Sequence, residues 1–174
     1  AYFALVMATG IVSIAAQLLE VPFIPRTLLA INLVSFAVLW LLTLIRIVRH
    51  PREMFADLTD HQRGVGFFTA VAATSVLGSQ LVIVAGSFRF ALALWIFTLL
   101  LWVLLIYAVF AALTVKEEKP ALDQGISGGW LVAVVATESV STLASILAPS
   151  VGWAENLLFV SVAFWLAGGM LYIW

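Results

Sequence analysis

Residues 124–154 read QGISGGWLVAVVATESVSTLASILAPSVGWA and carry one charge, Glu138, near their middle. At about 1.5 Å of rise per residue, such a run crosses the roughly 30 Å hydrocarbon core of a bilayer as a helix. Five further runs carry no charge at all: residues 1–19, 27–45, 64–88, 90–115 and 156–174. Every other charged residue lies between the runs. Six of them in 174 residues leave almost no amphipathic surface to face water. The expected fold class is therefore an all-α membrane protein of helical hairpins, with about six transmembrane helices in a single transmembrane domain, 1–174. A membrane barrel would show strands of about ten alternating residues with turn signals between them, and these runs do not alternate.

The composition narrows the chemistry. There is no cysteine, which removes disulfides and thiolate metal sites, and a net charge of −1 gives no footprint for nucleic acid. His50 and His61 have no metal-ligand spacing, and no nucleophile–base pattern, phosphate-binding glycine loop or zinc motif occurs. No enzymatic activity, cofactor or metal is expected. The chain opens at Ala1 without a basic leader and stops at Trp174 inside its sixth apolar run, which predicts the N-terminal part of a longer protein, cut at both ends.

Punctuation sets the helix limits. The first helix, about 2–19, ends at Glu20 before Pro22 and Pro25, and the second runs from about Thr27 to Val48. Arg46, Arg49 and His50 followed by Pro51 form an ordinary stop. Thr59 and Gln62 have capping-box spacing, so a third helix is expected over about 60–85. A tight turn at 86–89 leads to a fourth over about 90–115, and 116–129 is the longest polar linker. A fifth over about 129–147 closes at Pro149, and a sixth begins near 153–157. Asp57, Asp60, His61 and Arg63 read as a solvated loop and cap at the mouth of the third helix.

Basic residues orient the chain. Arg46, Arg49, Arg52, Arg63, Lys116 and Lys119 follow the second and fourth helices, against Arg26 and Arg89 after the first and third. Cytoplasmic loops hold the excess, so the N-terminal end of helix one is expected on the cytoplasmic side of a cell (plasma or inner) membrane. Trp130 and Trp153 lie near span ends, as headgroup anchors do. Trp40, Trp95, Trp102 and Trp165 read as lipid or packing contacts.

Polar residues form stripes on alternate helices. Thr9, Ser13 and Gln17 fall within about 80° of one another, with Gly10 beside them. In helix five Thr137, Glu138, Ser141, Thr142 and Ser145 share an arc of about 140°. Helix three carries Thr74, Ser75, Gly78 and Ser79 on a similar arc, with Gln80 pointing elsewhere. Helix two offers only Asn32, Ser35 and Thr43, and helix four only Thr98, Tyr107 and Thr114. Small and hydroxylic residues also serve helix packing. Three striped odd-numbered helices beside mostly apolar even-numbered ones suggest odd helices inside around a polar path and even helices outside facing lipid.

An ionised Glu138 at the bilayer centre costs several kcal/mol unless it meets water, a cation or a proton. No Lys or Arg stands at its depth in these six helices. Protonation, hydration in a pore, pairing with a residue elsewhere in the protein, or a neutral carboxyl bonded to nearby hydroxyls would each meet that cost.

The segments Phe3-Ala-Leu-Val-Met-Ala-Thr-Gly-Ile-Val-Ser13, His50-Pro51, Gly66-Phe-Phe-Thr69 and Gly128-Gly-Trp-Leu-Val-Ala-Val-Val-Ala-Thr137, in this order and spacing, resemble the tellurite-resistance and C4-dicarboxylate transporter family. That family includes malic-acid permeases, sulfite exporters and slow-type anion channels. The resemblance implies a ten-helix pore of five hairpins, odd helices inside, assembled as a homotrimer, with this chain as its first part and the gating residue in a later helix. It also implies an anion transporter or ion channel for C4-dicarboxylates such as malate, or for oxyanions such as tellurite or sulfite, with possible proton coupling. The partners so implied are membrane lipid and small anions. The candidate path residues are Thr9, Gly10, Ser13, Gln17, Thr74, Gly78, Thr137, Glu138, Ser141 and Thr142. The competing reading is a non-transporting membrane sensor or assembly subunit whose stripes only pack helices.

Overall fold

Glu20 ends the first helix by taking a left-handed turn. Its φ is 55°, a conformation glycine usually supplies, and it lets the Val21 amide reach back to the Ala16 carbonyl at 2.9 Å. Phe23, with φ 64°, turns the chain again, and Pro25 enters the next helix in its first turn, where a missing N–H costs nothing. The computed structural model describes residues 2–115 and 128–173. Its helices are α1 (Ala4–Leu18), α2 (Ile24–Arg49), α3 (Pro51–Leu58), α4 (Phe68–Ala85), α5 (Phe88–Val115), α6 (Leu131–Leu147) and α7 (Ala154–Ile173). Short 3-10 turns at Gly64–Phe67 and Gly128–Trp130 lead into α4 and α6, and a third closes α6 at Ala148–Ser150. The expected linker at 116–129, with Lys116 and Lys119, lies outside the described residues as far as 127.

The protein is an all-α membrane protein. Five of its apolar helices are long enough to cross a bilayer, and the sixth, α1, is shorter at 15 residues, or about 22 Å. Two boundaries differ from the sequence reading. The stretch after Pro51 forms its own short helix, α3, and the third span begins at Phe68 after a 3-10 turn rather than at Asp60. The capping box is also replaced. The Thr59 hydroxyl donates backwards to the Phe55 and Ala56 carbonyls at 3.1 and 3.2 Å, because Thr59 closes α3. The Asp60 carboxylate instead fastens the turn that follows, accepting from the Gln62 and Arg63 amides at 3.0 and 2.8 Å, and the third span starts without a side-chain cap.

The spans pack as two rows. The odd-numbered spans α1, α4 and α6 lie side by side with α4 in the middle. Among the even-numbered ones, α2 packs on α1 and α4, α5 on α4 and α6, and α7 on α6. As a result α4 is buried almost continuously from Phe68 to Gln80, which its small residues Ala70, Ala72, Ala73, Ser75 and Gly78 permit. The main apolar cluster joins Phe68 and Val71 to Trp95, Leu105 and Val109 of α5 and to Val140, Leu143 and Leu147 of α6. Edge-on rings at Phe3, Phe36, Trp40 and Phe97 tie α1, α2 and α5 together, with centroids 5.2 to 6.2 Å apart.

Outside the spans, Asp57 of α3 binds Arg46 at the end of α2 and Arg63 before α4, the latter at 2.8 Å. Hydrogen bonds from Arg63 and then Arg46 hold its carboxyl below the ordinary value of 3.8. A depressed carboxyl contributes stability above its unfolded value and loses it as pH falls through the folded one, so this clasp is complete above pH 3.8 and opens below it. Asp57→Asn should release α3 without unfolding the spans, seen as faster amide exchange over residues 51–63 and no further loosening on acidification. Behind the clasp, a Cβ on Gly64 would lie 2.6 Å from the Leu58 carbonyl oxygen. Because that neighbour is backbone, Gly64→Ala is expected to cost about 2 kcal/mol, read as a lower melting temperature in detergent.

Candidate functional site

The candidate residues separate by what their side chains touch. On α1, Gly10 is buried where a Cβ would come within 2.5 Å of Val76 and 3.1 Å of the Asn32 amide. Ser13 is buried too and donates to the Pro25 carbonyl at 2.8 Å, fastening α1 to the start of α2. Thr9 is half-buried, and Gln17 is exposed at the rim of an open cavity shared with Glu20, Pro25, Arg26 and Thr27. On α4, Thr74 donates to the Ala70 carbonyl at 2.7 Å, and Gly78 is pressed against the Leu143 side chain.

On α6 the residues face two ways. Thr137 is buried, donating to the Ala133 carbonyl at 2.8 Å and accepting from the Trp102 indole N–H at 2.8 Å. Ser141 is buried against α7, where it and Ser161 each donate to the other's carbonyl at 2.7 and 2.9 Å. Thr142 and Ser145 are exposed, and Glu138 is half-buried beside Gly168 of α7. Leu131, Val135, Glu138, Thr142 and Ser145 recur every three or four residues, so they form one stripe on the face of α6 turned away from the bundle. The stripe is apolar in its first half and polar in its second.

Gly10, Ser13, Thr74, Gly78, Thr137 and Ser141 thus sit in helix contacts, while Thr9, Gln17, Glu138 and Thr142 lie on surface left partly or fully open. The Thr142 and Ser145 hydroxyls donate within the helix, to the Glu138 and Thr142 carbonyls at 2.9 and 2.8 Å. Rotating either towards a ligand gives up one ordinary hydrogen bond, a net cost of about 1 kcal/mol. The Glu138 carboxyl has no hydrogen-bond partner among the described residues, so its oxygens are available without that cost.

Four residues gain a role that the helical wheel did not suggest. Asn32 and Gln80 meet at the junction of α1, α2 and α4: the Asn32 amide donates to the Val6 carbonyl at 3.0 Å and to Gln80 Oε1 at 2.8 Å, and both side chains are at most 1% exposed. Trp95 and Trp102 of α5 donate to the Val140 carbonyl and to Thr137 rather than contacting only apolar groups. A lone amide on an otherwise apolar helix carries the signal, since in lipid it must find a partner on a neighbouring helix.

A row of odd-numbered spans backed by even-numbered ones, with a polar stripe left open on α6, is the arrangement against which the family comparison stands. The model of the family described as voltage-dependent anion channel matches residues 1–174. The chain belongs to that family. It is also 24% identical over 182 residues to an uncharacterized transporter of Methanocaldococcus jannaschii, covering 99% of this chain and 52% of the relative. This voltage-dependent anion channel family member therefore spans about half the length of the curated relative it matches. No solved structure matches it significantly.

Proposed function

We propose that the full-length protein moves small anions across a cell membrane along the open face of α6, with Glu138 beside the path. The observation that carries this reading is the polar stripe of half-buried Glu138 with exposed Thr142 and Ser145, on a helix of the odd-numbered row in a family member. Hydroxyls there replace part of an anion's hydration shell. Thr9 and Gln17 on the open parts of α1 extend the polar surface, while Gly10, Ser13, Thr74, Gly78, Thr137 and Ser141 hold the walls in place. An ionised Glu138 repels an anion, and a protonated one offers it an O–H, so protonation and anion passage are linked. This suits a proton-linked carrier of C4-dicarboxylates such as malate, or of oxyanions such as sulfite or tellurite. In this reading the remainder of the protein completes a ten-helix pore, three copies assemble, and the start of α1 is cytoplasmic.

Flux through the full-length protein in proteoliposomes, comparing malate, sulfite, tellurite and chloride with and without a pH gradient, tests the substrate class. Saturable malate uptake driven by the gradient is expected. Passive flux of several anions would assign a channel instead, and no flux of any would favour the non-transporting sensor or assembly subunit.

A further inference from the structure

We propose that Gly168 is a positioning residue for Glu138: its missing side chain forms the seat that holds the carboxylate in the groove between α6 and α7. The functional half of this inference rests on the reading of Glu138 as a path residue. The reciprocal Ser141–Ser161 hydrogen bonds, with the two hydroxyl oxygens 3.1 Å apart, bring the antiparallel α6 and α7 close together. Glu138 lies one turn before Ser141 on α6 and Gly168 two turns beyond Ser161 on α7, and the long Glu138 side chain, leaning towards the start of α6, spans the difference to meet Gly168. A Cβ on Gly168 would lie 2.8 Å from the Glu138 carboxyl carbon and 3.0 Å from its Cγ, and would overlap Oε1. The adjacent Gly169 has nothing within 4 Å of such an atom, so the requirement belongs to Gly168 alone.

The collision is with the far end of a flexible side chain. Gly168→Ala therefore leaves the hairpin free to form and turns the carboxylate out towards the open face of α6. The titratable groups on the elements packed against α6 are Arg89 and Tyr107 on α5 and Glu155 and Tyr172 on α7, with none on α4. Glu155 is in the first turn of α7, about 20 Å along the axis from Gly168. Tyr172, one turn past Gly168, is exposed and makes no hydrogen bond to Glu138. Glu138 is accordingly the group at this level whose protonation the substitution reaches.

The test uses the full-length protein in lipid, with dicyclohexylcarbodiimide labelling of Glu138 followed by mass spectrometry and the pH profile of chloride flux measured in parallel. Gly168→Ala should speed labelling severalfold and shift the pH profile. In a Glu138→Ala background the same change should leave flux unaltered, since the atoms it displaces are gone. Unchanged labelling would overturn the seat, as would an equal flux defect in both backgrounds. Faster labelling with a flux profile indifferent to both residues would keep the seat and overturn the reading of Glu138 as part of the path.

Discussion

Gly10→Leu should leave the full-length protein unable to form a stable, monodisperse particle in detergent, while Thr9→Leu, one residue away on a half-buried position, should be tolerated. At Gly10 even a Cβ meets Val76 2.5 Å away and the Asn32 amide at 3.1 Å, and Gln80 Oε1 stands at 3.6 Å. A leucine must push α1 off α2 and α4, and in doing so it parts Asn32 from the Val6 carbonyl and from Gln80. Overpacking and the loss of buried hydrogen bonds together come to roughly 3–5 kcal/mol, a large share of a typical folding free energy. Size-exclusion profiles and thermal unfolding in the same detergent check it. A Gly10→Leu protein with wild-type melting behaviour would mean that the three helices do not meet as described.

Glu138→Gln should abolish most of the pH dependence of anion flux. Glutamine keeps the size of the side chain and removes the charge, so the variant resembles the protonated protein at every pH. In the wild type, flux should rise as pH falls, because protonation removes a negative charge from beside a moving anion. The protonated, conducting population falls about tenfold for each pH unit above the transition, so the variant should exceed the wild type by about tenfold one unit above it and match it below. Initial rates of chloride efflux across a series of buffers measure this, and parallel curves for the two proteins would remove Glu138 from the path.

The fold was legible because hydrophobicity over about twenty residues is a strong signal, and prolines and charged turns interrupt it clearly. Alternation of striped and apolar helices also matched the two rows in which the spans pack. What escaped was local. Thr59 has the right spacing for a cap, but closing α3 uses its hydroxyl, and Asp60 binds the amides of the turn that follows instead of capping the third span. The stripes could not tell a hydroxyl facing another helix from one facing open space, since Ser141 and Thr142 are neighbours on the same arc and point to different surroundings. Gln80 looked misplaced on its own helix because its partner, Asn32, is on a different one. Gly168 carried no sign at all: its meaning lies in the carboxylate opposite, thirty residues earlier in the chain.

The absence of cysteine from these 174 residues makes the decisive measurement direct. Thr142→Cys places a single thiol on the polar half of the α6 stripe, and Val162→Cys places one on the exposed face of α7 as a control. With the full-length protein otherwise cysteine-free and reconstituted, a charged methanethiosulfonate reagent should block anion flux through Thr142→Cys, more slowly when transported anion is present, and leave Val162→Cys unaffected. Complete modification at 142 with flux unchanged would place the path elsewhere and contradict the account.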